Sequence, residues 1–561
     1  MKFMKLGARP DTFYTEEAIR TVISDVPSDL TIRINNITFN LHKYPLLPKC
    51  GLLQSLYSES DDSSNVTLNL DDIPGGDEAF ELCAKFCYGI TINLSAHNYV
   101  SAFCAAKFLR MTEAVQSGNF VIKLEAFFSS CVLQGWKDPI VALHNTGRVY
   151  EWSENLGVVR RCIESIVDKI LTPPAKVSWS YTYTRPGYEK KRHQSVPKDW
   201  WTEDISFLDI DIFRCIIAAI KSTNMLQPQL IGESLHVYAC CWLPDITQNK
   251  PDNECSTSTS RAEEKRKLLE TIVGLIPAEK GSVSIKFLLK LLSYANFITV
   301  STVTKAELLR LCSLNLEEAT VNDLMVPGFD NRNVFHDIDL VETVLESFLR
   351  QWRRQKPENG DLRSIRKVGK LIDSYMQVVA KDANVPVGKV ASLAKTMPGI
   401  GRPNHDDLYV AIDVYLKEHP DISKTDKKQL CRALDCQKLS PEVRAHAVRN
   451  ERLPLRTVVQ VLFFEHEKGN STMTNKKQIS PNQLIERQQQ PTVTKDDLQS
   501  NSRLGVNETF QKGRRVELRP EPSFRQEMEK GKEIRNEGGL GIQLSSNEKA
   551  LIRRISKKSQ R

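Results

Sequence analysis

Residue types that could act in catalysis or bind a cofactor or metal occur in this chain, but mostly without the spacing that such a role requires. Gly399-Ile400-Gly401 lacks the third glycine of a dinucleotide-binding turn, and Arg402-Pro403 follows where such a turn would begin a helix. Gly232-Glu233-Ser234-Leu235-His236 places a serine near a histidine. However, no strand precedes it and no closing glycine follows it, as a hydrolase nucleophile turn requires. We therefore expect no catalytic residue, no cofactor and no enzyme, and we interpret the serine segment as a helix surface.

Cysteine spacing predicts no metal site. Cys83 and Cys87 are four residues apart, and Cys431 and Cys436 are five apart with His446 beyond them. Zinc sites usually pair a two-residue spacer with a second matched pair, so buried helix thiols are the better interpretation. The chain has 13 cysteines, an odd number without regular spacing. Such usage is typical of the reducing cytosol or nucleus, and we expect no disulfide.

The carboxyl-terminal end is basic and contains a candidate phosphorylation site. Arg553 and Arg554 stand three and two positions before Ser556, a context that basophilic kinases favour. Phosphate on Ser556 would add roughly −1.5 to −2 charge and create a ligand for an arginine-lined groove. Apolar residues alternate with the basic ones, so the segment could instead lie on an anionic membrane surface, from which phosphorylation would release it. A merely solvated basic end is the third interpretation.

The hydrophobic pattern predicts the elements that must position any functional residue. Alternating apolar residues over 29–41, with Asn35-Asn36 at the turn, predict a β-hairpin. A helix near 46–56 and a strand over 66–70 follow, and from 111 to 171 the pattern is helical throughout. Helical patterns resume after residue 200, and toward the end of this region they predict helices near 368–379, 408–416, 427–434 and 455–464.

Composition and charge exclude several classes of protein. Hydrophobic residues make up 40% and charged residues 26% of the 561, as in an ordinary globular protein. The net charge of +8, from 77 basic and 69 acidic residues, is too dilute to indicate nucleic acid. The start of the chain lacks the apolar stretch of a signal peptide, and no window reaches about 18 uninterrupted apolar residues. We therefore expect a cytoplasmic protein, with the plasma-membrane surface as a peripheral alternative and the nucleus less favoured.

An amino-terminal stretch, the opening of the chain and five later blocks in order resemble a known family. Ser28-Asp29-Leu30-Thr31 through Phe86-Cys87-Tyr88-Gly89 looks like a BTB/POZ domain, with its aspartate at the start of the hairpin and a histidine, His42, at the exit. The opening Met1 to Gly7 and later blocks are similar to the plant non-phototropic hypocotyl 3 (NPH3/RPT2-like) family. These later blocks are Trp200-Trp201-Thr202-Glu203-Asp204, Pro277-Ala278-Glu279-Lys280-Gly281-Ser282-Val283, residues 408–417, residues 435–440 and residues 450–456. The resemblance covers about residues 1 to 467.

The resemblance implies a fold class and a domain order. We expect an α+β N-terminal BTB/POZ domain, a mainly α-helical family-specific domain and a disordered C-terminal tail. The predicted divisions are an N-terminal extension (1–27), the BTB/POZ domain (28–110), its helical extension (111–171), a linker (172–199), the helical NPH3 domain (200–467) and a disordered basic tail (468–561). No sustained heptad run follows residue 467, so the C-terminal coiled coil of some relatives is not predicted.

The resemblance also implies a function and its residues. A member would be a substrate adaptor of a cullin-3 ubiquitin ligase, with protein substrates held by the helical part, dimerisation (homodimer or heterodimer) through the BTB domain, and a role in light or auxin signalling. The nearest match to the cullin-contacting hydrophobic-x-Glu pattern is Tyr57-Ser58-Glu59. Tyr409 matches a tyrosine regarded as phosphorylatable, although a packed core residue is an equal interpretation. The Arg553, Arg554 and Ser556 element matches one that recruits 14-3-3 proteins.

A rival interpretation belongs to a different class of protein. A membrane-associated signalling scaffold would bind photoreceptor kinases or 14-3-3 proteins without recruiting a ligase. Both interpretations are of binding proteins without nucleic acid partners. The short basic run Lys190-Lys191-Arg192 fits a nuclear protein, but such runs are usually solvated loops.

Overall fold

The computed structural model of the protein describes residues 2–59, 66–185, 195–243, 259–326, 336–354 and 362–474. The described residues form two compact units, the first ending at Pro403 and the second beginning at Asn404. The predicted tail after residue 474, including Arg553, Arg554 and Ser556, lies outside the described residues. So does the basic run at 190–192.

A five-stranded mixed sheet forms the amino-terminal part of the first unit. Its strands lie in the order β2-β3-β5-β4-β6, and β1 pairs separately with β7. The strands are β1 (Met4–Leu6), β2 (Phe13–Glu16), β3 (Ile19–Val22), β4 (Leu30–Ile34), β5 (Ile37–Leu41), β6 (Val66–Asn69) and β7 (Ile92–Leu94).

The predicted hairpin is confirmed as β4 and β5. Asn35 adopts a φ of 51°, the left-handed turn conformation that asparagine tolerates better than most residues. Leu30, Ile32, Ile34, Phe39 and Leu41 are buried, which is why the alternation was visible in the sequence.

Three strands precede the hairpin, in a region for which the sequence pattern predicts no secondary structure. The β2–β3 hairpin extends the sheet because β3 pairs in parallel with β5, from Ile19 opposite Thr38 to Thr21 opposite Asn40. Arg20 in β3 forms ion pairs with Asp77 and Glu81 of the first long helix. Residues 4–22 are therefore part of the same folded body as the hairpin.

Helices cover the sheet and continue through the region 111–171, as predicted. They are α1 (Lys43–Leu46), α2 (Gly51–Ser58), α3 (Gly76–Tyr88), α4 (Tyr99–Phe108), α5 (Phe120–Phe127), α6 (Lys137–His144), α7 (Tyr150–Asn155) and α8 (Val158–Ile170). In α3 the buried residues recur at steps of one, three and four, the seam of an amphipathic helix.

The remainder of the first unit is helical over its described residues. It comprises α9 (Thr202–Ile205), α10 (Ile210–Thr223), α11 (Pro228–Trp242), α12 (Thr259–Leu275), α13 (Ile285–Phe297), α14 (Thr302–Asn315), α15 (Val321–Leu324), α16 (Ile338–Arg354), α17 (Arg363–Val379) and α18 (Val387–Thr396).

An aromatic cluster joins the BTB-like part to the following helices. The Trp136 and Trp200 rings pack at a centroid distance of 4.5 Å, and Trp179 packs on Trp200 from the chain between them. The Trp136 Nε1–H donates to the buried Asp204 carboxylate at 2.6 Å, which also accepts the Thr182 backbone N–H. Residues 179–182, within the predicted linker, are thus packed against the folded parts on both sides.

The second unit contains α19 (Asp406–Glu418), α20 (Lys424–Cys431), α21 (Pro441–Val448) and α22 (Leu455–Thr474). Helix α22 begins where the sequence predicted it and runs to Thr474, beyond the predicted change of character at residue 468. Ser440 caps α21 by accepting the Val443 N–H, and Pro441 occupies the first turn, where a missing N–H costs nothing.

Candidate protein-interaction surfaces

The hairpin exit fixes the geometry of the first candidate surface. Asp29 Oδ1 accepts the Lys43 backbone N–H at 2.8 Å at the start of α1. The His42 Nε2 lies 2.9 Å from the Val26 carbonyl oxygen, and its Nδ1 lies 2.9 Å from the Tyr88 hydroxyl. Because a carbonyl can only accept, Nε2 carries the proton and Nδ1 accepts from Tyr88. His42 is therefore a structural residue whose hydrogen bonds are satisfied.

The predicted cullin-contact residues lie beside this exit. Tyr57 is half-buried in the last turn of α2, where the Lys43 Nζ lies 4.9 Å from the centroid of its ring. Glu59 is exposed and follows the helix directly, and residues 60–65 beyond it lie outside the described residues. Tyr44, next to Lys43, is 88% exposed. Tyr44 could not be recognised as exposed from the sequence, because the exposure of one aromatic residue leaves no periodic signal.

Tyr409 is a core residue of the second unit. Its side chain is 2% exposed, and its hydroxyl lies 2.7 Å from His446 Nδ1 and accepts the Asn450 Nδ2–H at 3.1 Å. Burial raises the pKa of this hydroxyl. A kinase could reach it only after α19 and α21 separate, so its phosphorylation stays a prediction that requires local opening.

A cavity of about 360 Å³ lies between α11 and the loop before α13. Glu233 and His236 line it from α11, and Asn315 and Asp323 line it from the opposite side. Ser234 of the same α11 segment is buried rather than on the helix surface, and its hydroxyl donates to the Ile231 carbonyl at 2.7 Å. The expected helix is present, but the expectation that this serine is a surface residue is wrong.

Charge at this cavity is balanced by near neighbours. The Cys240 sulfur and the Glu233 carboxylate raise the pKa of His236 to about 9. Glu233 in turn pairs with Arg185 at 2.8 Å, and hydrogen bonding to His236 lowers its pKa. The cavity wall is therefore an ion-paired surface rather than a set of reactive groups.

The described part of the chain holds no group of three or more side chains placed to ligate a metal ion. Twelve cysteines lie in it, and all are free thiols. Cys83, Cys87, Cys431 and Cys436 are buried, as expected for helix thiols, and burial raises the pKa of Cys83 and Cys431. Among the same residues, no helix is both long and apolar enough to cross a membrane.

The amino-terminal fold is that of a protein-interaction module, a mixed sheet covered by helices. Residues 24–123 match the model of the BTB/POZ domain, and residues 199–443 match that of the NPH3 family. The β2–β3 hairpin precedes the BTB match although it lies in the same sheet.

Three relatives from Arabidopsis thaliana illustrate the similarity. A BTB/POZ domain-containing protein is 59% identical, covering 84% of this chain and 86% of its own. The phototropic-responsive NPH3 family protein NPY1 is 38% identical (84% and 82%), and root phototropism protein 3 is 35% identical (84% and 78%). The chain belongs to the NPH3 family of BTB/POZ-domain proteins. No solved structure gave a significant match.

Proposed function

We propose that the protein is a substrate adaptor of a cullin-3 RING ubiquitin ligase. The BTB/POZ domain binds the cullin, and the helical NPH3 domain holds a protein substrate. The observation that supports this most is the packing of the helical extension of the BTB/POZ domain against the start of the NPH3 match, where Trp136, Trp200 and Asp204 make buried contacts. Contacts of this kind limit how far a bound substrate can lie from the ligase and raise the effective concentration of the reacting lysine.

The cullin surface in this proposal is formed by Tyr44, Tyr57 and Glu59. Tyr44 presents a nearly complete aromatic ring to solvent, and aromatic residues are enriched among the side chains that dominate binding energy. The Lys43 ammonium near Tyr57 and the Glu59 carboxylate supply charges at the rim, which affect association rate and salt dependence more than affinity.

The experiment measures binding of the amino-terminal part of cullin-3 to the full chain. Tyr44→Ala and Tyr57→Ala should each weaken binding about 30-fold or more, as expected for aromatic anchors. Tyr14→Ala is the matched control because Tyr14 is an exposed tyrosine of β2, away from α1 and α2 in sequence, and should change binding less than threefold. Absence of cullin binding by the unmodified chain would remove the proposal. An equal loss of cullin binding in Tyr14→Ala would contradict the assignment of the cullin surface to Tyr44, Tyr57 and Glu59.

The pathway and the remaining partners belong to the same proposal. Two relatives carry names that refer to phototropism, which supports a role in light responses. Dimerisation through the BTB domain would make the adaptor bivalent.

Phosphorylated Ser556, after Arg553 and Arg554, would recruit a 14-3-3 protein. Ser556→Ala should abolish 14-3-3 capture from kinase-treated extract, whereas Ser559→Ala should leave it unchanged.

The basic context of Ser556 also supports the scaffold alternative, in which the protein binds anionic membranes, photoreceptor kinases or 14-3-3 proteins without a ligase. The two functions differ in one measurement. If the first unit fails to retain cullin-3 while the full chain binds anionic vesicles and kinase partners, the scaffold is correct. Vesicle binding that resists added salt would contradict the electrostatic mechanism.

A further inference from the structure

Arg444 of α21 is a buried cation that no described residue pairs with. It is 4% exposed, and neither its Nε nor its Nη1 has a hydrogen-bond partner within the described ranges. The other arginine buried there, Arg402, is paired with Asp373. A charge withdrawn from water is costly unless an opposite charge and hydrogen-bond acceptors compensate for it. The two orphaned nitrogens therefore indicate an anion that the described residues do not provide.

Arg444 lies one helical turn after Ser440. Its backbone N–H donates to the Ser440 carbonyl oxygen at 2.9 Å, which closes the first turn of α21. Residues four apart share a helix face, and helical side chains lean toward the amino terminus of their helix. The guanidinium therefore covers the turn that begins at Ser440. Glu442, about 200° around the helix from Arg444, is on the opposite face.

Ser440 is placed to carry an anion. It is half-buried at the start of α21, and its hydroxyl accepts the Val443 N–H at 3.4 Å. The first-turn N–H groups of a helix and its dipole favour negative charge at this end. Ser440 has an extended backbone, with a φ of −66° and a ψ of 158°, and Pro441 follows it. Protein kinases bind an acceptor serine in an extended segment, and proline-directed kinases select a serine that precedes proline.

We propose that Ser440 is a phosphorylation site and that Arg444 pairs with its phosphate. A proline-directed kinase transfers the γ-phosphoryl group of ATP to the Ser440 Oγ. The new oxygen–phosphorus bond forms as the bond to the β-phosphate oxygen breaks, ADP leaves, and the hydroxyl proton passes to the base of the kinase. The phosphate brings roughly −1.5 to −2 charge and three acceptor oxygens to a guanidinium with two unpaired donors.

A neighbouring carboxylate makes the guanidinium necessary. Asp406 Oδ1 accepts the Ser440 backbone N–H at 2.9 Å, so the phosphate is added close to a like charge. Helix α22 packs on α21, and the buried ones among its described side chains are Thr457 and Val461, which are uncharged. Pairing with Arg444 offsets the repulsion from Asp406, and the phosphate therefore strengthens the first turn of α21 instead of loosening it.

Ser301 provides a matched site in the same chain. It caps α14, its hydroxyl accepts the Thr304 N–H at 3.3 Å, and its own N–H donates to the Glu270 carboxylate at 3.0 Å. The residue four positions later is the half-buried Lys305. Ser301 therefore shares with Ser440 the helix cap and the adjacent carboxylate, but it lacks a buried guanidinium.

The first test measures the phosphate itself in the full chain. Phosphoserine is incorporated at position 440 or 301, and its pKa, ordinarily about 6, is read from ³¹P spectra against pH. At position 440 this pKa should be lower by about one unit or more, and Arg444→Met should reverse the shift. At position 301, Lys305→Met should move the pKa by less than about half a unit. A pKa at position 440 that Arg444→Met leaves unchanged would overturn the proposal.

Hydrogen exchange of the α21 amides tests whether Arg444 already has an anion elsewhere in the chain. Without phosphate, Arg444→Met removes an unpaired charge and should leave the protection of these amides equal or higher. With phosphoserine at position 440, the same substitution should lower the protection about tenfold, the equivalent of one pKa unit. Lower protection in the unphosphorylated variant would mean that another segment already supplies the anion, and would refute the proposal.

The last measurement establishes whether a kinase uses the site. The full chain is incubated with ATP and an activated mitogen-activated protein kinase, and phosphorylated residues are located by mass spectrometry. Phosphate on Ser440 is expected. Ser480, which precedes Pro481, serves as the internal positive control. Phosphate on Ser480 with none on Ser440 would contradict the assignment of Ser440 as a modification site.

Discussion

The buried ion pair between Asp373 and Arg402 should be a large local determinant of stability in the first unit. Both side chains are 3% exposed, and the guanidinium contacts the carboxylate through Nη2 at 2.7 Å and Nε at 2.8 Å. The third guanidinium nitrogen, Nη1, donates to the Ala394 carbonyl oxygen. The pair thus holds the loop after α18 against α17.

Asp373→Leu should lower the free energy of unfolding by about 3–5 kcal/mol, because it leaves a guanidinium buried without its anion. That corresponds to a roughly hundredfold to few-thousandfold larger unfolded fraction. The double variant Asp373→Leu/Arg402→Met removes both charges and should recover most of the loss, since apolar replacements of a buried pair are often neutral.

Intrinsic fluorescence provides a selective assay. All seven tryptophans precede residue 404, so urea titration followed by tryptophan emission reports the first unit alone. The control is Glu307→Gln, which breaks a pair of the same 2.7 Å separation whose side chains are 44% and 42% exposed. This control should lower the free energy of unfolding by less than about 1 kcal/mol. The assignment of a large stabilising role to this pair is refuted if Asp373→Leu lowers the free energy of unfolding no more than the control does. It is also refuted if the double variant is less stable than Asp373→Leu or Arg402→Met alone.

Three further outcomes follow from the α11 region and the aromatic cluster. In urea titration, Gly232→Ala should lower the free energy of unfolding by about 1–3 kcal/mol or more, because the added Cβ would overlap the Ser282 carbonyl oxygen. Gly274→Ala has open space at its Cβ and should raise the free energy of unfolding by about 0.4–1 kcal/mol. His236 should titrate near 9 in imidazole ¹⁵N spectra, and Glu233→Gln should lower that pKa. Because folding raises this pKa, protonated His236 stabilises the folded state fully below its ordinary pKa of 6.5, and that stabilisation is lost as the pH rises through about 9. A measured pKa at or below 6.5 would contradict the ion pair with Glu233. Asp204→Ala should lower the free energy of unfolding by about 1–3 kcal/mol, because a buried indole N–H and a partly buried backbone N–H lose their acceptor. An unchanged free energy of unfolding would contradict the role of the aromatic cluster in joining the two parts.

The hairpin was predictable because its buried residues alternate, and alternation is a local property of the sequence. The β2–β3 hairpin was not, because its strands have four residues each and expose Tyr14 and Ile19. Pairing with β5 and the Arg20 ion pairs determine its position, and these contacts are distant in the sequence. Short strands of this kind carry little periodic signal.

Among the helices, too, some were predictable from the sequence and others were not. Long amphipathic segments such as α17 were apparent from their period, whereas α21 is eight residues long and was missed. Its Ser440-Pro441 start could have indicated it, since serine at the cap and proline in the first turn are common helix signals. Arg402 illustrates a different limit. In the sequence it only argued against a dinucleotide turn, and its buried partner Asp373 lies 29 residues away.

Candidate interaction residues were harder to predict than the fold. The Tyr57 and Glu59 match came from a family pattern, while the exposure of the neighbouring Tyr44 depends on which side chains the fold leaves uncovered. Leu455 and Val459 are indistinguishable in sequence from the residues that α22 buries. Only packing separates the two faces of such a helix.

The strand arrangement at the amino terminus has a practical meaning for any shortened form of the interaction module. A polypeptide that starts at Ser28 would expose the long edge of β5 to water and to other chains, and open edges invite sheet-to-sheet aggregation. Asp77 and Glu81 would also face each other without the cation that now lies between them. The smallest piece that remains well folded should therefore include β2 and β3 rather than begin at the β4–β5 hairpin.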